Sequence, residues 1–221
     1  MQIAKEGTTA YLKLAYHAPA VGHPDFFPML LLDAVLTGAK GLNLWSSFRT
    51  PPPQRSARLY SALVERRLAS SVSAALLPTQ HPFLYLISVT VTEGVALADV
   101  EAAALEALDR VAADGVTEQE LVKAKNQLRA RLVFEGDSVT NIAHQLGFFE
   151  TIAKVDLYRN MPALMAAVSL DEVGRVAKRY FRANSRTVGW FDPLPEGEKA
   201  ATRVETAADS EEAVTSSTEA L

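Results

Sequence analysis

The sequence predicts an α+β domain of two layers, a mainly antiparallel sheet packed with helices. Three observations carry this expectation. Residues 8–17 and 83–92 alternate with the period of strands. Helical patterns fill most of residues 99–180. The elements follow one another as β, α, α, β, β, several α, β, without an internal repeat. Hairpins alone cannot cover both faces of such a sheet, so the helices are expected on one face.

The elements can be justified in order. Leu12, Leu14 and Tyr16 share one face of the first strand. Pro24 suits a first helical turn, and DFFPMLLLDAVLTG follows as a strongly apolar helix ended by Gly38. Pro28 fits there only close to the helix start. AKGLNLWSSFRTPPPQ is a long connection with a triple proline. SARLYSALVERRLASSVSA begins as a helix, with Leu59, Ala62, Leu63 and Arg66 at helical spacing, and becomes a strand from Ser70. No Gly or Pro marks that change. PTQHP turns the chain into FLYLISVTVT, where Phe83, Tyr85, Ile87, Val89 and Val91 alternate with Leu84, Leu86, Ser88 and Thr90. Both faces of this strand are largely apolar, which predicts a central strand, paired with its predecessor as an antiparallel hairpin.

The second half reads as helices. Residues 99–113 are amphipathic and stop at Gly115. TEQE at 117–120 is a capping box, opening a helix with Leu121, Ala124, Leu128 and Leu132 on one stripe. A further helix starts at Asp137 or Ser138. Residues 156–168 and 169–180 continue the series, with SLDE as a second capping box. NSRTVGWF is a closing strand, and DPLP is expected to end order.

Composition bounds the rest. A chain of 221 residues, 48% apolar, can bury a sizeable core. The reading places one domain at residues 1–193 and a disordered acidic tail at 194–221. From residue 196 onward the tail has seven acids against Lys199 and Arg203, and no aromatic residue. With a formal charge of −4 overall, the body is left with about +1, so nothing points to nucleic acid. There is no Cys, which excludes disulfides, thiolate nucleophiles and Cys-ligated metals. No apolar run approaches the roughly 20 residues of a membrane span. The N-terminal residues lack a signal peptide's apolar centre, so the expected location is cytoplasmic. Opening only a few residues before its first strand, the chain reads as a truncated or split product.

The search for chemistry finds little. His17, His23, His81 and His144 form neither HxxEH nor HxxxH, so no helical face carries two metal ligands. Ser46, Ser47, Ser70, Ser71 and Ser73 lack a glycine-framed elbow. TGAKGLN follows a helix rather than a strand, which favours a helix C-cap at Gly38 over a phosphate loop. Lys123, Lys125, Arg129 and Arg131 read as a solvated helix face. Trp45 and Phe48, beside Pro51, Pro52 and Pro53, are interface candidates, with burial on the domain's own core as the alternative.

Four segments carry a resemblance. They are TTAYLKLAYHAPAVGHPDFFPMLLLDAVLTG, SARLYSALVERRLASSVSA, GVTEQELVKAKNQLRARLVFEGDSVTNIAHQLGFFETI and RTVGWFDP. Together, over roughly residues 5–193, the chain resembles the C-terminal domain of the insulinase-like M16 zinc metallopeptidases. The resemblance implies a LuxS/MPP-like metallohydrolase type of fold. It implies a clamshell of paired halves around an extended peptide, with zinc held by an HxxEH helix of another domain. No HxxEH occurs in this sequence, so no zinc ligand and no catalytic residue carries over, and zinc is expected only in a partner.

In active family members, an Arg in the helix and a Tyr opening the next strand reach toward the zinc site. Here the Tyr position is Ser70, and the Arg position is Leu63 or Val64. Arg58 and Tyr60 lie out of register. The resemblance therefore implies a non-catalytic domain that forms chamber wall, peptide contact or interface. Its partner would be an HxxEH-bearing domain or subunit, or a second copy. The alternative is a free-standing scaffold with an inactive peptidase-like fold. A metal-free hydrolase built on a Ser and His81 is the least supported option.

Overall fold

In the computed structural model, the structure describes residues 1–41 and 54–194, and the backbone of 201–203. Six strands form one sheet in the order β3-β4-β2-β5-β1-β6. They are β1 (Gln2–Glu6), β2 (Tyr11–Ala18), β3 (Ala69–Leu76), β4 (Phe83–Val91), β5 (Arg186–Leu194) and β6 (Ala201–Arg203). Only β1 and β5 pair in parallel. The sheet is thus mainly antiparallel, and β4 lies inside it as its two apolar faces require.

One face of the sheet is dry. Leu12, Leu14 and Tyr16 of β2 and Tyr85, Ile87, Val89 and Val91 of β4 are buried on it. Helix α1 (Phe26–Thr37) packs close by and is buried on every side from Phe26 to Leu36. A helix apolar all round must be surrounded, and α1 has the sheet on one side and other helices around it. The further helices are α2 (Leu97–Asp114), α3 (Glu118–Glu135), α4 (Val139–Ile152), α5 (Val155–Ala167) and α6 (Leu170–Tyr180). Both expected capping boxes form, Thr117 with Glu120 and Ser169 with Glu172. Gly38 caps α1 at φ 93°, which a glycine tolerates. Lys125 does more than face solvent: its Nζ donates to the carbonyls of Ala166, in the last turn of α5, and of Val168, its C-cap.

Asp33 is the one charge in the buried stretch of α1, and it is fully partnered. Lys40 Nζ lies 2.9 Å from Oδ2, and Tyr85 Oη and Thr37 Oγ1 donate to Oδ1 at 2.8 and 2.9 Å. Lys40 also donates to the Ala74 carbonyl of β3 at 2.8 Å. Burial and the Asp33 charge push the Tyr85 hydroxyl well above its ordinary range, so it remains a donor. This network joins α1, β3 and β4 through one carboxylate.

Four expectations need correction. Pro24 lies in the turn before α1; Asp25 is the N-cap and Phe26 the first helical residue. Strand β3 begins at Ala69, one residue before Ser70. QIAKE, which shows no strand pattern, forms β1 because β5 offers it a free edge. DPLP does not end order: β5 runs to Leu194 beside β1, and β6 then covers the other edge of β1. Ordered backbone therefore enters the stretch whose composition suggests disorder, where an open sheet edge supplies the missing partners.

Candidate functional site

The junction between the helix at residues 58–64 and β3 is where the family resemblance places chemistry. Three backbone irregularities fall within a dozen residues. Tyr60–Val64 is a π-helical turn, with the Glu65 N–H donating to the Tyr60 carbonyl at 3.2 Å. Arg67 has φ 62°, the only positive value among the described non-glycine residues. It ends the helix as a glycine would: Leu68 N–H reaches Leu63 O and Arg67 N–H reaches Val64 O, both at 2.9 Å. The register then shifts between Ala69 and Ser71, which makes Ser70 the extra residue of a β-bulge.

The three positions singled out from the sequence sit as follows. Leu63 is fully buried in the core, and Val64 is half-buried against it. Ser70 is exposed, and its Oγ donates to the Thr90 carbonyl at 3.2 Å. Arg58, the nearest cation in the helix, is committed elsewhere. Its Nε and Nη2 donate to the two carboxylate oxygens of Glu120, both at 2.7 Å. Glu120 also accepts the Thr117 N–H at 2.7 Å, so this ion pair is fused to the α3 cap. Arg58 and these bonds hold the Glu120 carboxyl down at about 2. Arg58 is therefore a strut between the junction helix and α3.

The open face of the sheet begins at the bulge. Paired residues share a face, so the register gives its rungs. One rung is Ser71, Thr90, Tyr11, Phe191 and Ile3; the next is Ser73, Ser88, Lys13 and Gly189. Ser71 Oγ donates to Thr90 Oγ1 at 2.9 Å, and Lys13 Nζ to Ser88 Oγ at 3.2 Å. Tyr11, 43% exposed, stands 6.0 Å from the Phe191 ring. The face is hydroxyl-rich near β3 and aromatic near β5.

The described residues do not gather a donor set for a zinc ion. Among the described residues no three His, Cys, Asp or Glu side chains converge. His17 is on β2, His81 is in the β3–β4 turn, and His23 Nδ1 accepts the Asp25 N–H at 3.0 Å. No described helix is long and apolar enough to cross a membrane. Trp45, Phe48, Pro51, Pro52 and Pro53 lie outside the described residues. Sequence reasoning missed Arg67, because a non-glycine helix stop has no sequence mark. It also missed the Asp33 network, although an Asp inside LLLDAV was the available signal.

A mainly antiparallel sheet backed by helices, entered through an irregular helix-to-strand junction, defines a two-layer α+β domain. Its lineage is shown by sequence: residues 2–128 match the family model of the M16 peptidase inactive domain, so the chain belongs to that family. It is 27% identical over 176 residues to the mitochondrial-processing peptidase subunit beta of Lentinula edodes, covering 78% of this chain and 36% of that protein. The chain thus spans about a third of that relative's length.

Two solved structures show the same fold. One is described as the inactive peptidase domain of a zinc protease from Bordetella parapertussis, with TM-score 0.72, 22% identity, and 88% of this chain and 98% of that chain covered. The other is a protease from Helicobacter pylori, with TM-score 0.76, 19% identity, and 87% and 43% covered. The chain is an inactive M16 domain of the C-terminal type.

Proposed function

We propose that this domain serves as the non-catalytic half of a peptidase chamber whose zinc and HxxEH helix come from another M16 domain or subunit. One observation carries the reading. The junction has a π-turn, a left-handed Arg67 and a bulge, while the positions that the resemblance assigns to peptide donors hold Leu63, Val64 and Ser70. Irregular backbone of this kind usually accompanies function. Here the apolar Leu63 and Val64 supply no acid, base or oxyanion donor at their positions. The hydroxyl-rich open face beside it suits an extended peptide, whose backbone groups need hydrogen-bond partners on a wetted wall.

The test is assembly. The chain is mixed with an HxxEH-bearing M16 subunit from the same source, and complex formation and cleavage of an extended fluorogenic peptide are measured. A stable complex is expected. Lys13→Glu with Tyr11→Ala on the open face should raise KM several-fold and leave the fold unchanged. No complex with any such subunit, or a complex whose KM the double variant leaves unchanged, rejects the reading. Self-association with no affinity for those subunits supports the scaffold alternative instead.

A further inference from the structure

Helix α6 turns a row of cations outward. Arg175, Lys178 and Arg179 are exposed at helical spacing on one face, and exposed Arg182 follows just past the helix end in extended backbone. With the end of α2 around Asp114 and Gly115, and with Asp171, they line a cleft of about 710 Å³. The local acids do not saturate this row. Asp25, 2% exposed, accepts from Arg175 at 2.6 Å, Arg179 at 3.0 Å and Tyr180 Oη at 3.1 Å. Burial alone would raise the Asp25 carboxyl, but the bonds from Arg175 and Tyr180 outweigh it and hold the group ionised.

One carboxylate shared by two guanidinium groups leaves most of their donors unused, and both side chains are half exposed. Lys178 has no acidic partner among the described residues, and Arg182 donates from Nε only to the Lys178 carbonyl at 3.3 Å. Asp114 and Asp171 are the opposing charges on the cleft walls.

A second observation supplies the occupant. Residues 204–221 contain Glu205, Asp209, Glu211, Glu212 and Glu219 and no Lys or Arg. They continue directly from β6, which is anchored on β1. Fully extended, this segment reaches about 60 Å. A folded body of this size has a radius of gyration of about 16 Å, so most of its surface is within reach.

We propose that the acidic segment 204–221 docks in the α2–α6 cleft, with its carboxylates on Lys178, Arg182, Arg175 and Arg179. Each exposed pair contributes little by itself. Several act together, and the tether holds the segment at an effective concentration in the millimolar range. The docking is reversible and is weakened by salt. A carboxylate-rich peptide from elsewhere competes for the same cleft.

The full chain is treated with a zero-length carbodiimide, and the linked peptides of the monomer are identified by mass spectrometry. The expected product is an amide between Lys178 Nζ and a carboxyl of residues 204–221, strong at 50 mM salt and lost at 500 mM. Arg182→Glu, which keeps Lys178 and leaves the Asp25 bonds intact, should lower its yield at least fivefold. Circular dichroism confirms that this variant is folded. Links from the segment spread over all lysines, or links to Lys178 that Arg182→Glu does not change, overturn the proposal. Lys178 links found only in a covalent dimer overturn it too, because the segment then docks on a second copy.

Discussion

Arg67 occupies backbone space that suits glycine, and its φ of 62° carries a cost of about 1–2 kcal/mol for a residue with a Cβ. Arg67→Gly removes that strain and adds unfolded-state entropy of about 0.5–1 kcal/mol. The net expectation is a gain of roughly 0.5–1 kcal/mol, read as a rise of about 2 °C in Tm. Arg67→Val should lower Tm, because a β-branched residue resists positive φ. A fall in Tm for the glycine variant would show that Arg67 is held by contacts rather than tolerated. Asp33 offers a second test. Tyr85→Phe removes one donor from a buried carboxylate and should lower unfolding free energy by about 1–3 kcal/mol in urea titrations. Lys40→Met leaves the carboxylate without its counter-charge and should cost about 3 kcal/mol. If both variants match the parent, the network does not hold the core.

Among the elements, the start of α3 links structure to pH. Glu120 is held at about 2 in the folded state, well below an ordinary glutamate near 4.3. A depressed carboxyl contributes stability that is fully present above the unfolded value. That contribution is lost as pH falls from about 4.5 toward 2. Both partners are about three-quarters buried, so a contribution of about 2 kcal/mol is reasonable at neutral pH. Glu120→Gln should therefore destabilise the domain at pH 7 and flatten its acid unfolding between pH 4.5 and 2. An acid limb of unchanged slope would contradict this.

The same scale explains what was legible. Helices α2, α3 and α6 and strands β2 and β4 were readable because periodicity and capping boxes are local. Strand β1 was not, because QIAKE alternates poorly and its partner Trp190 lies at the far end of the chain. The junction was legible as helix then strand, but its π-turn and bulge arise from packing and leave no residue signature. Of the candidate site, Leu63 is buried, Val64 half-buried, and exposed Ser70 places its Oγ on the Thr90 carbonyl. The cations of α6 were not singled out in the sequence, and their cleft leaves no local mark because α2 supplies its other wall.

At the scale of the molecule, helices bury one face of the sheet and leave the other face, with Tyr11, Lys13 and Ser73, outside. The irregular junction stands at the rim of that open face. This arrangement fits a wall built to meet another domain's chemistry. The chain belongs to the M16 inactive-domain family and spans about a third of the length of the mitochondrial-processing peptidase subunit beta it matches. The most direct test is a paired measurement on the purified chain: metal content by mass spectrometry and hydrolysis of an extended fluorogenic peptide, with and without an HxxEH-bearing M16 subunit. The expected result is no stoichiometric zinc and no cleavage by the chain alone, with chelator-sensitive cleavage once the subunit is added. One zinc per chain bound by this chain's own residues, with chelator-sensitive cleavage in the absence of any partner, would contradict it.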